Sequence, residues 1–340
     1  MNKYDLAFKT KYIELSRGFF SLPLISVFTR LLDKENLLSK KFFSKKKLEK
    51  IFDKKILEIL LKYLESIGIL KKINNTNYRI TDMGNFVFSR HGAMNIIYSY
   101  KDIAINTEKI LLGKKKSIYC DRIENVFGSG KSHKKKFFLN CFKILKENKI
   151  KKIIDLGLGD GKFIKYLKNQ NLNLDFVGID LSNLVIKKLK LLNKNKMNYI
   201  QEDIFKINKW AKKIRNENFK RSDDLVINFM FTFHEHAFKN DTEIKNYLNK
   251  INYYYPKAKI LVTEVFDIHP KNLTKVSSSS ILPEFILFHK LSKQKLFFHK
   301  QFKHVVKNSK YKIVKEIKYS KMKLRSSSSP TYSTFMLSPK

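Results

Sequence analysis

The stretch Ile153-Ile154-Asp155-Leu156-Gly157-Leu158-Gly159-Asp160-Gly161 decides how the chain is read. Its apolar start fits a buried strand, and Lys162-Phe163-Ile164-Lys165-Tyr166-Leu167 reads as an amphipathic helix. Three alternate glycines stand between them. Glycine at a strand-to-helix turn lets the backbone approach a ligand where a Cβ would collide. The helix N-terminus behind it offers N–H groups that have no intrahelical partner. Several nucleotide-binding folds share such a turn, so its meaning rests on its flanks.

Downstream, strand-like and helix-like runs alternate. Phe176–Asp180 reads as a second strand, followed by a helix over Leu184–Leu192 with Ser182 as a candidate cap. Asn198–Asp203 reads as a third strand, Asp224–Phe229 as a fourth and Lys259–Glu264 as a fifth, with a helix near Asp241–Ile251 before it. Tyr311–Tyr319 and Thr331–Leu337 add two more β-like runs, and the serine runs Ser277–Ser280 and Ser326–Ser329 read as loops. The alternation predicts an α/β domain with helices on both faces of a mostly parallel sheet. Asp180, Asp203 and Asn228 then fall at the ends of consecutive strands, on the edge where open α/β sheets bind ligands. An acid about 20 residues beyond the glycines is placed to accept both hydroxyls of a ribose. Asp203 is placed to accept from an adenine amino group.

The chain begins differently. Tyr4 to about Leu32 carries apolar groups at three- and four-residue steps, as one or two helices would. Lys45–Ile51 and Lys55–Ile67 read as helices, the second with Leu57, Leu60, Leu61 and Leu64 on one face and Gly68 at its end. Two short strands, Ile69–Ile73 and Tyr78–Thr81, flank the turn Asn74–Asn77. Two helices and a hairpin make a winged helix. The domains expected are a winged helix over 1–94, a helical connector over 95–149 and the α/β domain over 150–340. Within the connector, Gly128-Ser129-Gly130-Lys131-Ser132 ends like a phosphate-binding loop, but its first glycine would fall at Asn125 and no apolar strand precedes it.

The formal charge of +40 invites a nucleic-acid reading. Only eight of the 70 basic residues are Arg, however, and the lysines run along the whole chain, which points to compositional bias rather than a phosphate-reading surface. The presumed recognition helix offers Lys55 and Lys62 but no Arg, Asn or Gln to read base edges. Specific nucleic-acid binding is therefore not expected, and a winged-helix DNA-binding regulator with a ligand-sensing Rossmann domain is the rival furthest from the favoured reading. Cys120 and Cys141 form no CxxC or zinc spacing, no apolar run approaches the ~20 residues that span a bilayer, and no signal peptide is evident. A cytoplasmic protein without a membrane partner is expected.

With these residues assembled, the chain resembles the class I S-adenosylmethionine-dependent methyltransferases over roughly residues 150–340. The resemblance rests on Asp155–Gly161, Asp180, Glu202-Asp203 and the fourth-strand segment; a nicotinamide-binding turn would instead want G-x-G-x-x-G. It implies a Rossmann-like seven-stranded domain that binds S-adenosylmethionine through Asp155, Gly157, Gly159, Gly161, Asp180, Asp203, Asn228 and Phe229, with Asp155 placing the amino group of the methionine moiety. The winged-helix start is similar to that of small-molecule O-methyltransferases, which implies a homodimer through the N-terminal domain. In that family a His followed by an acid after strand four acts as general base, which His234-Glu235 match, with a small-molecule hydroxyl as the acceptor. More narrowly, Pro283–Ser292 resembles a segment of the α-keto acid C-methyltransferases. Some of those hold a non-haem iron between a His after strand four and a second about fifty residues on. His234 and His289 fit that spacing, with His236 as the substitute for His234. The favoured expectation is carbon methylation of an α-keto acid; the alternative is metal-independent O-methylation.

Overall fold

The computed structural model describes residues 3–37, 40–132, 135–192, 198–214, 217–236, 238–269, 282–319 and 332–340. The two serine runs lie outside them. The chain forms two compact units, one from residues 1–101 with 121–132 and one from 102–120 with 133–340.

The first unit begins with a single helix, Lys3–Lys34, that carries Pro23 inside it. Its Tyr12–Asp33 segment is long and apolar enough to cross a membrane by length and composition. Ser16, Arg17, Ser21, Ser26 and Arg30 interrupt its apolar residues, so the sequence holds no unbroken apolar run of that length there. Ile25, Phe28 and Leu32 from this helix enter the core of the unit, and the buried Ser26 hydroxyl donates to Asn95 at 2.9 Å.

A three-stranded sheet follows, with β1 (Phe42–Ser44) and β2 (Leu70–Lys72) on either side of β3 (Asn77–Ile80). Helix Lys54–Ser66 is capped by Asp53, whose carboxylate accepts from the N–H groups of Lys55 and Ile56. It buries Leu57, Leu60, Leu61 and Leu64, the face read from the sequence, and gives way at Gly68 with φ +75°. Thr81 caps helix Asp82–Phe88, accepting from Gly84 N–H and donating to the Gly68 carbonyl. Two helices, a hairpin and a flanking strand make the winged helix.

The second unit is built on one sheet. Its strands are β4 (Lys152–Leu156), β5 (Asp175–Asp180), β6 (Asn198–Gln201), β7 (Leu225–Met230), β8 (Lys259–Asp267), the two-residue β9 (Phe297–Phe298), β10 (Tyr311–Tyr319) and β11 (Tyr332–Pro339). They lie in the order β10-β11-β8-β7-β4-β5-β6, with β9 pairing beside the end of β8. The run from β6 to β8 is parallel, and β11 is antiparallel to both β8 and β10. The seven long strands are those expected. Parallel strands buried on both faces read as continuous apolar runs, as Leu225–Phe229 does. One face packs on helices Ile207–Lys213, Asp241–Tyr254 and His299–Lys307 through Trp210, Leu248 and Phe302. Strand succession reverses at β4, which opens a crevice at the carboxyl ends of β4 and β7.

The phosphate-loop lookalike belongs to helix Arg122–Ser132. Gly128 lets this helix cross His91–Tyr98 closely: a Cβ there would stand 2.7 Å from Ile96 N and 2.8 Å from Gly92 O. Both obstacles are backbone and cannot swing aside. Gly128→Ala is expected to destabilise the protein by about 1–3 kcal/mol, measured by urea unfolding. An unchanged midpoint would contradict this packing.

Candidate active site

Gly157, Gly159 and Gly161 all adopt left-handed φ, at +81°, +57° and +71°. Side chains rarely tolerate that region, which explains the alternate glycines. Gly157 donates to the Ile179 carbonyl at 2.8 Å, so the turn is tied to β5. Asp180, buried at the end of β5, accepts from Gly159 N–H at 3.2 Å and from Ser182 N–H at 2.8 Å. Its carboxylate thus shapes both the glycine turn and its own.

Asp155 stands opposite Asn228 in the β4–β7 register, and Asn228 Nδ2 donates to its Oδ1 at 2.7 Å. Burial pushes the Asp155 carboxyl up to about 6; the Asn228 bond pulls it down and the charge of Asp180 pushes it up. Asn228 is fully buried behind Asp155, and its Oδ1 has no hydrogen-bond partner among the described residues. Phe229, expected at the cofactor, lies in the core instead, edge-on to Phe233 and Tyr247. Asp203 is half-buried and accepts from Phe205 N–H at 3.0 Å.

The chain leaves β7 through Phe231, whose φ of +56° is rare for a bulky residue, and then makes a single 3-10 turn at Phe233–Glu235. Glu264 on β8 receives that turn. Its Oε2 accepts from the N–H groups of Phe233 and His234 at 3.0 and 3.2 Å, and its Oε1 accepts from His234 Nδ1 at 2.7 Å and Val265 N–H at 2.8 Å. A carboxylate only accepts, so His234 carries its proton on Nδ1 and, when neutral, its lone pair on Nε2.

The described structure brings His289 to His234. Their ring centroids are 5.4 Å apart, and His289, on helix Leu282–Leu291, donates from Nδ1 to the Phe285 carbonyl at 2.8 Å. Burial, reinforced by the neighbouring His234, pulls the His289 imidazole down to about 3, so it stays neutral. His236 takes a different course, stacking on Phe205 at 4.5 Å. Glu235 Oε1 lies 3.6 Å from His234 Nε2 and accepts from Gln294 Nε2 at 2.8 Å. Lys290 pairs with Asp267 at 2.7 Å, which ties the His289 helix to the end of β8.

Imidazole nitrogen binds first-row metals at about 2.1 Å, which places two ligating rings with centroids on the order of 4.5–6 Å apart. Both Nδ1–H groups donate to protein oxygens, the usual support for a histidine that ligates through Nε2. The centroid spacing and the tautomers of His234 and His289 are compatible with ligation through Nε2. Among the described residues no set of three or more His, Cys, Asp or Glu side chains converges for an ion. Glu264 escaped the sequence reading. Its one signal is a carboxylate inside the mostly apolar strand Lys259–Asp267.

Strand order, glycine turn and strand-end acids define an S-adenosylmethionine-dependent methyltransferase. The chain belongs to the FtsJ-like methyltransferase family, whose model matches residues 131–334, and the AprA winged helix domain model matches residues 18–114. No curated protein matches the chain in sequence. Among solved structures it is similar to human N-acetylserotonin methyltransferase in complex with the methyl donor, at 11% identity and a TM-score of 0.63 over 100% of this chain and 99% of that one. It is also similar to mitomycin 7-O-methyltransferase, at 11% identity and a TM-score of 0.58 over 99% of each chain. The dimethyltransferase of N,N-8-amino-8-demethyl-D-riboflavin from Streptomyces davawensis matches at 12% identity and a TM-score of 0.56 over 100% of both chains. At such identities these likenesses show the fold.

The raised carboxyl of Asp155 makes a stability prediction. Its folded value, about 6, lies above the unfolded one, so stability is fully present below the unfolded value and is lost as pH rises through 6. Asp155→Asn is therefore expected to raise the melting temperature of the ligand-free protein at pH 7.5, corresponding to at most about 3 kcal/mol, with little change near pH 4. A variant destabilised equally at both pH values would contradict the burial cost.

Proposed function

We propose that the protein transfers the methyl group of S-adenosylmethionine to a small molecule, with an α-keto acid methylated at carbon as the preferred acceptor and His234 and His289 holding a non-haem iron. The observation that carries this reading is the pairing of two buried imidazoles, each anchored through Nδ1–H. On the donor side, the glycine turn passes along the cofactor, Asp180 accepts the ribose hydroxyls and Asp203 accepts the adenine amino group. Asp155, held by Asn228, faces the ammonium of the methionine moiety.

His234 and His289 would hold the iron, which when bound would supply Lewis acidity toward an α-keto acid and so acidify the C–H beside its keto group. The protein residues do the positioning. Glu264 fixes the tautomer and direction of His234, and the Phe285 carbonyl does the same for His289. Gln294 holds Glu235 beside His234 Nε2. The winged-helix unit is read as a homodimerisation module, and the protein as cytoplasmic.

One observation favours a second reading. The Glu264–His234 bond is also the arrangement of an oriented general base, and His234 Nε2 could take the proton of an acceptor hydroxyl without a metal. His289 separates the two. Under the first reading, His289→Ala loses bound iron and at least about 10²-fold in turnover, and a chelator reproduces the loss in the unaltered protein. Metal-free His289→Ala turning over at the unaltered rate would overturn the iron reading and leave His234 as base.

A further inference from the structure

Thr232 stands between the two halves of the site. A methyl built on Gly157 would overlap Thr232 Cγ2, so the threonine methyl fills the space that a side chain on the glycine turn would occupy. Its hydroxyl donates to the Leu156 carbonyl at 3.0 Å, the residue immediately before Gly157. Its own carbonyl accepts from Glu235 N–H at 3.2 Å, which closes the turn carrying His234. One side chain therefore grips the end of β4 and the glycine turn, while its backbone starts the segment of the presumed acceptor site.

The residue before it adds an independent sign. Phe231 adopts φ +56°, and a bulky side chain in the left-handed region is strained, a cost that persists only where the surroundings enforce it. Phe231 N–H donates to the Thr263 carbonyl at 2.8 Å, and its ring packs edge-on to Phe137 at 5.3 Å and Tyr332 at 6.1 Å. These contacts hold the kink. Extended backbone at Phe231 would carry Thr232 away from Leu156 and Gly157.

We infer that Thr232 is a positioning residue: a wedge that sets the separation between the methyl-donor turn and the His234 segment. The inference rests on reading the glycine turn as the cofactor site, and it holds for carbon and oxygen acceptors alike. It explains why the wedge is a threonine. The hydroxyl supplies the bond to Leu156, and the methyl supplies the volume against Gly157. Displacements on the order of 1 Å can cost about 10²-fold in rate, so losing the methyl should be visible in turnover.

The test is a swap of that methyl between the two residues. Thr232→Ser keeps the hydroxyl and is expected to lower kcat by about tenfold or more, with cofactor Kd and melting temperature near those of the unaltered protein. Gly157→Ala is expected to weaken cofactor binding by about tenfold or more, because its methyl meets that of Thr232 and its φ is strained. The double variant returns one methyl to the gap, so it should bind the cofactor more tightly than Gly157→Ala alone. A double variant no better than Gly157→Ala, or Thr232→Ser at full turnover, would overturn the wedge. Should Gly157→Ala fail to fold, recovery of folding by the added Thr232→Ser supports the wedge, and continued failure contradicts it. Titration of the unaltered protein with S-adenosylmethionine is the control. If it does not bind, the cofactor reading of the glycine turn fails; if it binds and the swap is additive, only the wedge fails.

Discussion

Glu264 accepts four hydrogen bonds while only 1% of its surface is exposed. Burying a carboxylate without compensation costs several kcal/mol, so this acid dictates what surrounds it. Two backbone N–H groups must turn toward it, and they belong to Phe233 and His234. The 3-10 turn after β7 follows from that demand. The imidazole of His234 then completes the set and is fixed in one tautomer. A single buried charge therefore shapes a loop, orients a side chain and joins β7 to β8 at the edge where the chemistry is placed.

The donor side uses the same logic. Parallel strands end where backbone donors become unsatisfied, and acids at the end of β5 and just past β6 collect them. Asp180 accepts from Gly159 and Ser182, and Asp203 accepts from Phe205. Asp155 is the exception, because its partner is the side chain of Asn228 and its burial is poorly compensated. The ammonium of S-adenosylmethionine is the cation we propose for it.

Much of this was legible in the residues. Left-handed φ at Gly157, Gly159 and Gly161 is what alternate glycines at a strand end encode, and Leu57 to Leu64 marked the inner face of the winged-helix domain. Strand parity puts Phe229 on the same face as Ile227, both in the core, whereas Asn228 between them turns toward Asp155. The membership of Gly128 in a helix crossing, and the bonds that Glu264 accepts, depend on distant backbone that no local pattern reports. His289 sits in an apolar helix and came into view only through resemblance. Its neighbour His234 stands 55 positions earlier in sequence, and the Lys290–Asp267 pair that ties the His289 helix to the end of β8 is not local.

We propose that the His234–His289 pair directs a methyl group from S-adenosylmethionine onto carbon. It is tested most directly by following a 13C-labelled methyl from the cofactor into product, using the iron-loaded protein, a panel of α-keto acids and phenols, and carbon–proton correlation NMR. The label is expected on the carbon beside a keto group. Label found as a methyl ether, with none on carbon, would contradict it.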